Sequence, residues 1–133
     1  MNVVDSSAWV EYFAKGENAK FFISPIQDVE HLLVPSICIY EVFKRLVQDL
    51  DEESALQAVG IMSYGNIIEL DREIALDAAQ ISVKHKLAMA DSIILATARA
   101  MRRSYGRRTS ISKILKASGI SRKNPDAPPR NTV

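Results

Sequence analysis

The chain has 133 residues and a net charge of +1, which fits one domain around one core and excludes a nucleic-acid binder recognisable from total charge alone. Apolar residues make up 47% of it, an ordinary soluble value. Cys38 is the single cysteine, which excludes an intrachain disulfide framework or a thiolate metal site and fits a reducing compartment. No basic segment followed by a long apolar run opens the chain, and its apolar stretches fall far short of a membrane span, so the expected location is the cytoplasm. The charge is unevenly placed. Residues 1–98 carry seven basic and fifteen acidic side chains, whereas residues 99–133 carry ten basic ones and a single acid, Asp126.

In chain order, residues 2–4 are a short apolar run that stops at Asp5. Ser6 and Ser7 are candidate caps for a helix through Trp9 and Tyr12. Residues 15–18 read as a turn and residues 19–27 as a second short helix. Residues 32–34, Leu-Leu-Val, read as a buried strand stopped by Pro35. Ser36 then caps a helix through Val42, Leu46 and Leu50. Residues 51–62 form another helix with Ala55, Leu56 and Val59 on one face. Residues 67–70 are a strand, and Asp71 caps a helix on which Ile74, Ala75, Ala78 and Ile81 follow helical spacing. Residues 88–101 give the clearest helix, apolar through Ile93, Ile94, Ala96 and Ala98. Short apolar strands alternating with helices predict an α/β fold with a parallel sheet. After Met101 the pattern stops: a fourth strand is due there and none is visible.

In such sheets ligands bind outside the carboxyl ends of the strands. Asp5 ends the first strand, Glu41 lies early in the helix after the second, and Asp91 lies near the start of the last helix, so all three are candidates to converge on one edge. Each also has a structural reading: Asp5 as an N-cap, Glu41 as a solvated helix residue, Asp91 as a helix-start acid favoured by the macrodipole. The apolar run around Asp91 predicts a buried carboxylate, which is costly without a partner; Arg99 is one candidate partner. Clustered carboxylates repel unless a cation lies between them, and oxygen ligands alone suit Mg²⁺ or Mn²⁺.

Three segments carry a resemblance. M-N-V-V-D-S-S-A-W-V-E-Y-F resembles the opening of the VapC-type PIN-domain toxins, V-P-S-I-C-I-Y-E-V-F-K-R-L their second block, and K-H-K-L-A-M-A-D-S-I-I-L-A-T-A-R-A their third. The resemblance spans about the first hundred residues. It implies a PIN-like three-layer α/β/α sandwich around a parallel sheet, with Mg²⁺ or Mn²⁺ held by Asp5 and Asp91 and with Glu41 in the acidic cluster as ligand or water positioner. Ser6 or Ser7 would support the Asp5 carboxylate by hydrogen bonding. The implied activity is Mg²⁺-dependent endoribonuclease hydrolysis of RNA phosphodiesters by the toxin of a type II toxin–antitoxin system. The implied partners are a cognate antitoxin, an RNA substrate and a second copy of the chain in a homodimer.

The resemblance breaks after the third block. The family continues with a strand ending in a fourth acid, whereas this chain has no acid between Asp91 and Asp126. Codons can be chosen for residues 101–122 such that the same DNA, read from the third base of the Met101 codon, encodes A-T-F-L-W-T-Q-D-V-D-F-E-D-I-E-G-V-R-Y-F-A. That is the expected strand, acidic motif and final strand, in order. Third-position freedom helps such a match, but its length favours a frameshift near residues 99–101. The expected organisation is therefore a PIN-like domain over residues 1–101, its C-terminal strand missing or altered, followed by an atypical basic tail over residues 102–133.

Two other functions compete with the enzyme. One is a catalytically impaired PIN-fold module that binds an antitoxin or RNA without turnover, the fourth acid being gone. The other is DNA binding by the tail, where Ile114 to Ser121 resembles part of a helix-turn-helix. Tyr12, Phe13, Phe21, Phe22, Tyr40 and Phe43 read mainly as core, with a groove among their helices as a candidate seat for an antitoxin helix. His31 and His85 read as surface residues and Cys38 as a small core hydrophobe.

Overall fold

The computed structural model describes residues 1–105 and 113–117. Strand β1 (Asn2–Val4) leads into helix α1 (Ser6–Phe13), and a 3-10 turn at Ala19–Phe22 leads into the short α2 (Ile23–Gln27). Strand β2 (Leu32–Pro35) is followed by α3 (Ser36–Asp49) and α4 (Glu52–Met62). Then come β3 (Asn66–Ile68), α5 (Arg72–His85), α6 (Met89–Tyr105) and β4 (Lys113–Leu115). The sheet order is β3-β2-β1-β4, every neighbouring pair is parallel, and helices cover both faces in a three-layer α/β/α sandwich.

The centre of the sheet is apolar on both faces. Val3, Val4, Leu32, Leu33 and Val34 are fully buried, as a parallel sheet sandwiched between helices requires. The β3 edge is more exposed. Gly65 allows the turn into it to lie against β2: a Cβ there would stand 2.8 Å from Val34 Cγ2. Asn66 Nδ2 then donates to the Leu32 carbonyl at 3.1 Å. The expected strand at residues 67–70 thus sits slightly earlier, because the Asn66 side chain and backbone both engage β2.

Asp71 caps α5 as expected, accepting from the Ile74 N–H, and Asp51, expected as the first residue of its helix, caps α4 by accepting from the Ser54 N–H, each satisfying an orphan donor of the first turn. Of the caps offered for α1, Asp5 holds the position and Ser6 and Ser7 do not, because only the residue in extended backbone can turn its side chain onto the first amides. Pro35 occupies the cap position of α3, and the Ser36 hydroxyl instead accepts from the Leu70 N–H. On α4 the buried face is Ala55, Ala58 and Met62, while Leu56 is exposed. Helix α6 runs on to Tyr105, beyond its expected end at Met101. Its buried Ser92 and Thr97 hydroxyls donate to the carbonyls of Met89 and Ile93, which satisfies them without a partner from elsewhere.

The fourth strand, due after Met101 but not visible in the sequence, is present. β4 pairs with β1 in the register Asn2↔Lys113, Val3↔Ile114, Val4↔Leu115. Ile114 is buried beneath the sheet's helical cover, so two apolar residues within a basic stretch suffice for a place beside β1. β4 joins the sheet at the β1 edge. The chain therefore leaves β1 in one direction for β2 and β3 and returns to its other side with β4. The switch in direction, where ligands sit in such sheets, falls between β1 and β4.

Candidate active site

Asp5 lies at that switch. The sheet delivers it from β1, and its own backbone N–H donates to the Leu115 carbonyl at 2.8 Å, extending the β1–β4 ladder by one residue. Its Oδ1 accepts from the Ser7 N–H at 3.1 Å, the N-cap contact of α1, which leaves Oδ2 to face the cleft. Only 9% of its side chain is exposed. Burial pushes the Asp5 carboxyl above the ordinary range, the Ser7 amide and Lys116 ammonium draw it back, and Asp91 and Glu41 add to the upward push.

Glu41 lies in the second turn of α3 and accepts from the Ser6 hydroxyl at 2.6 Å. Asp91 lies in the first turn of α6. Its side chain is 41% exposed, so the expected burial does not occur: Ile94 and Leu95, one turn on, share its face of the helix, but the carboxylate itself stands at the open mouth of a cleft. Its cationic contact is Lys116, not the expected Arg99. Lys116 Nζ stands 3.7 Å from Asp5 Oδ2 and 3.7 Å from Asp91 Oδ1. Leu87, Ile94, Leu95 and Ile114 join these three in lining a small cleft.

Sequence reasoning gave Ser6 or Ser7 as the hydrogen-bonding support of Asp5, and Ser7 is that support. Ser7 reaches Asp5 through its backbone N–H, while its hydroxyl accepts from the Ala117 N–H at 3.2 Å. The Ser6 hydroxyl goes to Glu41, not Asp5. Sequence reasoning missed Lys116 altogether. The available signal was Ile114-Leu115, a β-favouring pair followed at once by a cation.

Asp5 and Asp91 offer only hard oxygen donors across a gap that already accommodates a cationic group. This fits a hydrated Mg²⁺ or Mn²⁺, which needs one or two protein carboxylates. Glu41 does not complete a third ligand: among the described residues no group of three His, Cys, Asp or Glu side chains is arranged to hold a metal. Next to the carboxylates an open groove is lined by Ser6, Ser7, Tyr40, Glu41, Lys44 and Arg45. Lys44 Nζ lies over the Tyr40 ring, 5.8 Å from its centroid, and Arg45 pairs with Asp49 at 2.6 Å.

Other candidates resolve simply. Phe22 is buried, Tyr12, Phe13 and Phe43 are partly buried, and Phe21 and Tyr40 are exposed. His31 is exposed beside Asp28, and His85 is partly exposed. Cys38 is buried, its thiol turned to the Val4 carbonyl and its pKa pushed upward by burial, as befits an unreactive core residue. The helix-turn-helix reading fails at Ile114 and Leu115, which are strand residues; residues 118–121 lie outside the described residues. Among the described residues no helix is long and apolar enough to cross a membrane.

The profile of the PIN domain family matches residues 3–104 of the chain. No curated protein sequence matches it. Among solved structures, one similar chain belongs to a toxin–antitoxin complex from Klebsiella pneumoniae. It is 24% identical with a TM-score of 0.63, over 77% of this chain and 81% of that one. Another is the VapC20 toxin of Mycobacterium tuberculosis, described as cleaving the sarcin–ricin loop. It is 15% identical with a TM-score of 0.67, over 76% of this chain and 83% of that one.

Proposed function

The chain belongs to the PIN domain family, and from that premise we propose that it is a metal-dependent endoribonuclease, the toxin of a type II toxin–antitoxin pair. The observation that carries the reading is the convergence of Asp5 and Asp91 on one cation position at the carboxyl edge of the sheet. Mg²⁺ or Mn²⁺ is the proposed cofactor, and when bound it supplies positive charge at a phosphate oxygen and acidifies water for phosphodiester hydrolysis. Asp5 and Asp91 hold it. Glu41, fixed by the Ser6 hydroxyl, orients water from the side of the groove. Ser7 holds the Asp5 carboxylate through its amide. Lys44 and Arg45, on the groove wall, are placed to meet RNA phosphates, which basic side chains attract regardless of sequence. A cognate antitoxin, a homodimeric assembly and a cytoplasmic location complete the reading; the first is supported by one structural neighbour that belongs to a toxin–antitoxin complex and another described as a toxin.

The test uses the purified full chain with structured and single-stranded RNA, in Mg²⁺, in Mn²⁺ and in EDTA. Cleavage should require the metal and should disappear in Asp5→Asn and Asp91→Asn. Cleavage indifferent to EDTA and to both substitutions would overturn the assignment.

A second reading has its own support. Lys116 stands in the cation position, and no acid occurs between Asp91 and Asp126. Together they favour a catalytically impaired module that binds RNA or an antitoxin without turnover. RNA retention with no cleavage at any metal concentration would select it.

A further inference from the structure

The gap between Asp5 and Asp91 is filled by a group of this chain itself. Lys116 Nζ is equidistant from the two carboxylates, at 3.7 Å from each, and its side chain is 26% exposed. Its position is set by its neighbours on both sides. Leu115 before it is tied by its carbonyl to the Asp5 N–H at 2.8 Å. Ala117 after it donates from its N–H to the Ser7 hydroxyl at 3.2 Å, and accepts at its carbonyl from Asn18 Nδ2 at 3.4 Å. The backbone is thus tethered to β1, to the first turn of α1 and to the turn beyond it, and the freedom left at this position is that of the side chain.

Resting on the metal-site reading above, we propose that Lys116 is a built-in counter-ion of the site, which occupies the cation position between Asp5 and Asp91 and competes with divalent metal for it. Two carboxylates this close repel one another, the more so because Asp5 is screened from water. One ammonium offsets half of their charge and stabilises the pair without metal. A divalent ion offsets all of it, but an ammonium and a divalent ion in the same gap repel each other. Metal entry therefore requires the lysine to swing into solvent, which its four-carbon stem permits. Metal binding and the Lys116 contact then exclude one another, and the apparent metal affinity falls by the fraction of time the ammonium is away.

The test compares the full wild-type chain with Lys116→Met, which keeps an unbranched apolar stem and loses the charge, and with Lys116→Arg, which keeps the charge. Lys116→Gln is a second neutral variant for the case that methionine loosens β4. Mn²⁺ binding is followed by the electron paramagnetic resonance signal of the free ion, and melting is followed in EDTA and in Mn²⁺. The neutral variants should bind Mn²⁺ at least tenfold more tightly than wild type. They should melt below wild type in EDTA and recover on adding Mn²⁺, while Lys116→Arg stays close to wild type. Folded neutral variants that bind Mn²⁺ within twofold of a binding wild type would overturn the competition and leave the metal site standing. Binding by none of the folded chains at millimolar Mn²⁺ would overturn the metal-site reading and the competition with it.

Discussion

The Asp5 N–H and the Leu115 carbonyl are hydrogen-bonded at 2.8 Å, so the candidate metal ligand and the C-terminal strand hold each other in place. This bond continues the pairing of Val4 with Leu115 and brings Lys116 to the carboxylates. β4 is short, and its anchor is Ile114, which is 3% exposed. Truncating that side chain leaves a cavity between the sheet and its helices. Ile114→Ala should therefore lower unfolding stability by about 2–4 kcal/mol, measured by urea titration, and should loosen the Asp5 position. A loss below about 0.5 kcal/mol would mean that β4 contributes little to the fold.

Asp5 should be a stability liability at neutral pH. Its carboxyl is raised mainly by burial, more than the Ser7 amide and Lys116 lower it. A group whose folded pKa lies above its unfolded one favours folding when protonated. That contribution is complete below the unfolded value and is lost as pH rises through the folded one. Asp5→Asn keeps an acceptor for the Ser7 amide and removes the charge. In metal-free buffer at pH 7 the variant should be more stable than wild type, by on the order of 1 kcal/mol. The gain should shrink as pH falls and wild-type Asp5 takes up its proton. A variant less stable than wild type at pH 7 would mean that the Lys116 contact outweighs burial.

Ser6 supports Glu41 without approaching Asp5 or Asp91 through its hydroxyl. Removing that hydroxyl frees the Glu41 carboxylate to rotate, and partners of this kind are worth roughly 10–100-fold in activity or metal affinity. Ser6→Ala should reduce RNA cleavage by about tenfold with KM little changed. A cysteine replacement should not restore it, because a thiol is a weak donor. An unchanged rate in Ser6→Ala would remove Glu41 from the proposed machinery or make its orientation irrelevant.

The sequence made legible those parts of the fold that rest on local signals. Leu32-Leu33-Val34 before a proline reads as a buried strand, and Asp71 reads as a cap, because each depends on a few adjacent residues. The three-strand core followed from the alternation of such segments. The pairing of Asp5 and Asp91 in one cleft was legible, whereas Glu41, expected beside them, lines the neighbouring groove. Asp91 was expected to be buried because its neighbours are apolar; which side of α6 it takes depends on packing against α5 and the sheet. The serines were assigned to the nearest acid in sequence, whereas Ser6 reaches a carboxylate thirty-five positions away. β4 was illegible because its pairing energy comes from β1, more than a hundred residues earlier, and a basic stretch hides two apolar residues.

The family match ends at residue 104, and the residues after it bear on both stability and metal binding. The alternative-frame segment A-T-F-L-W-T-Q-D-V-D-F-E-D-I-E-G-V-R-Y-F-A would give β1 a longer apolar partner, and it would bring acids, not a lysine, towards Asp5 and Asp91. A chain carrying it after Ala100 should bury more apolar surface beside β1, which favours a higher melting midpoint. With no ammonium in the gap and with added carboxylates, its Mn²⁺ affinity should rise by tenfold or more, and Mg²⁺-dependent RNA cleavage should rise with it. The chain with the basic tail should by comparison bind metal weakly and cleave RNA slowly. An intact mass of the protein purified from its own gene distinguishes the two tails directly. If the replacement instead lowers the melting midpoint and leaves metal binding unchanged, then Lys113–Leu115 is the strand that β1 requires, and the basic C-terminal segment is part of the working fold.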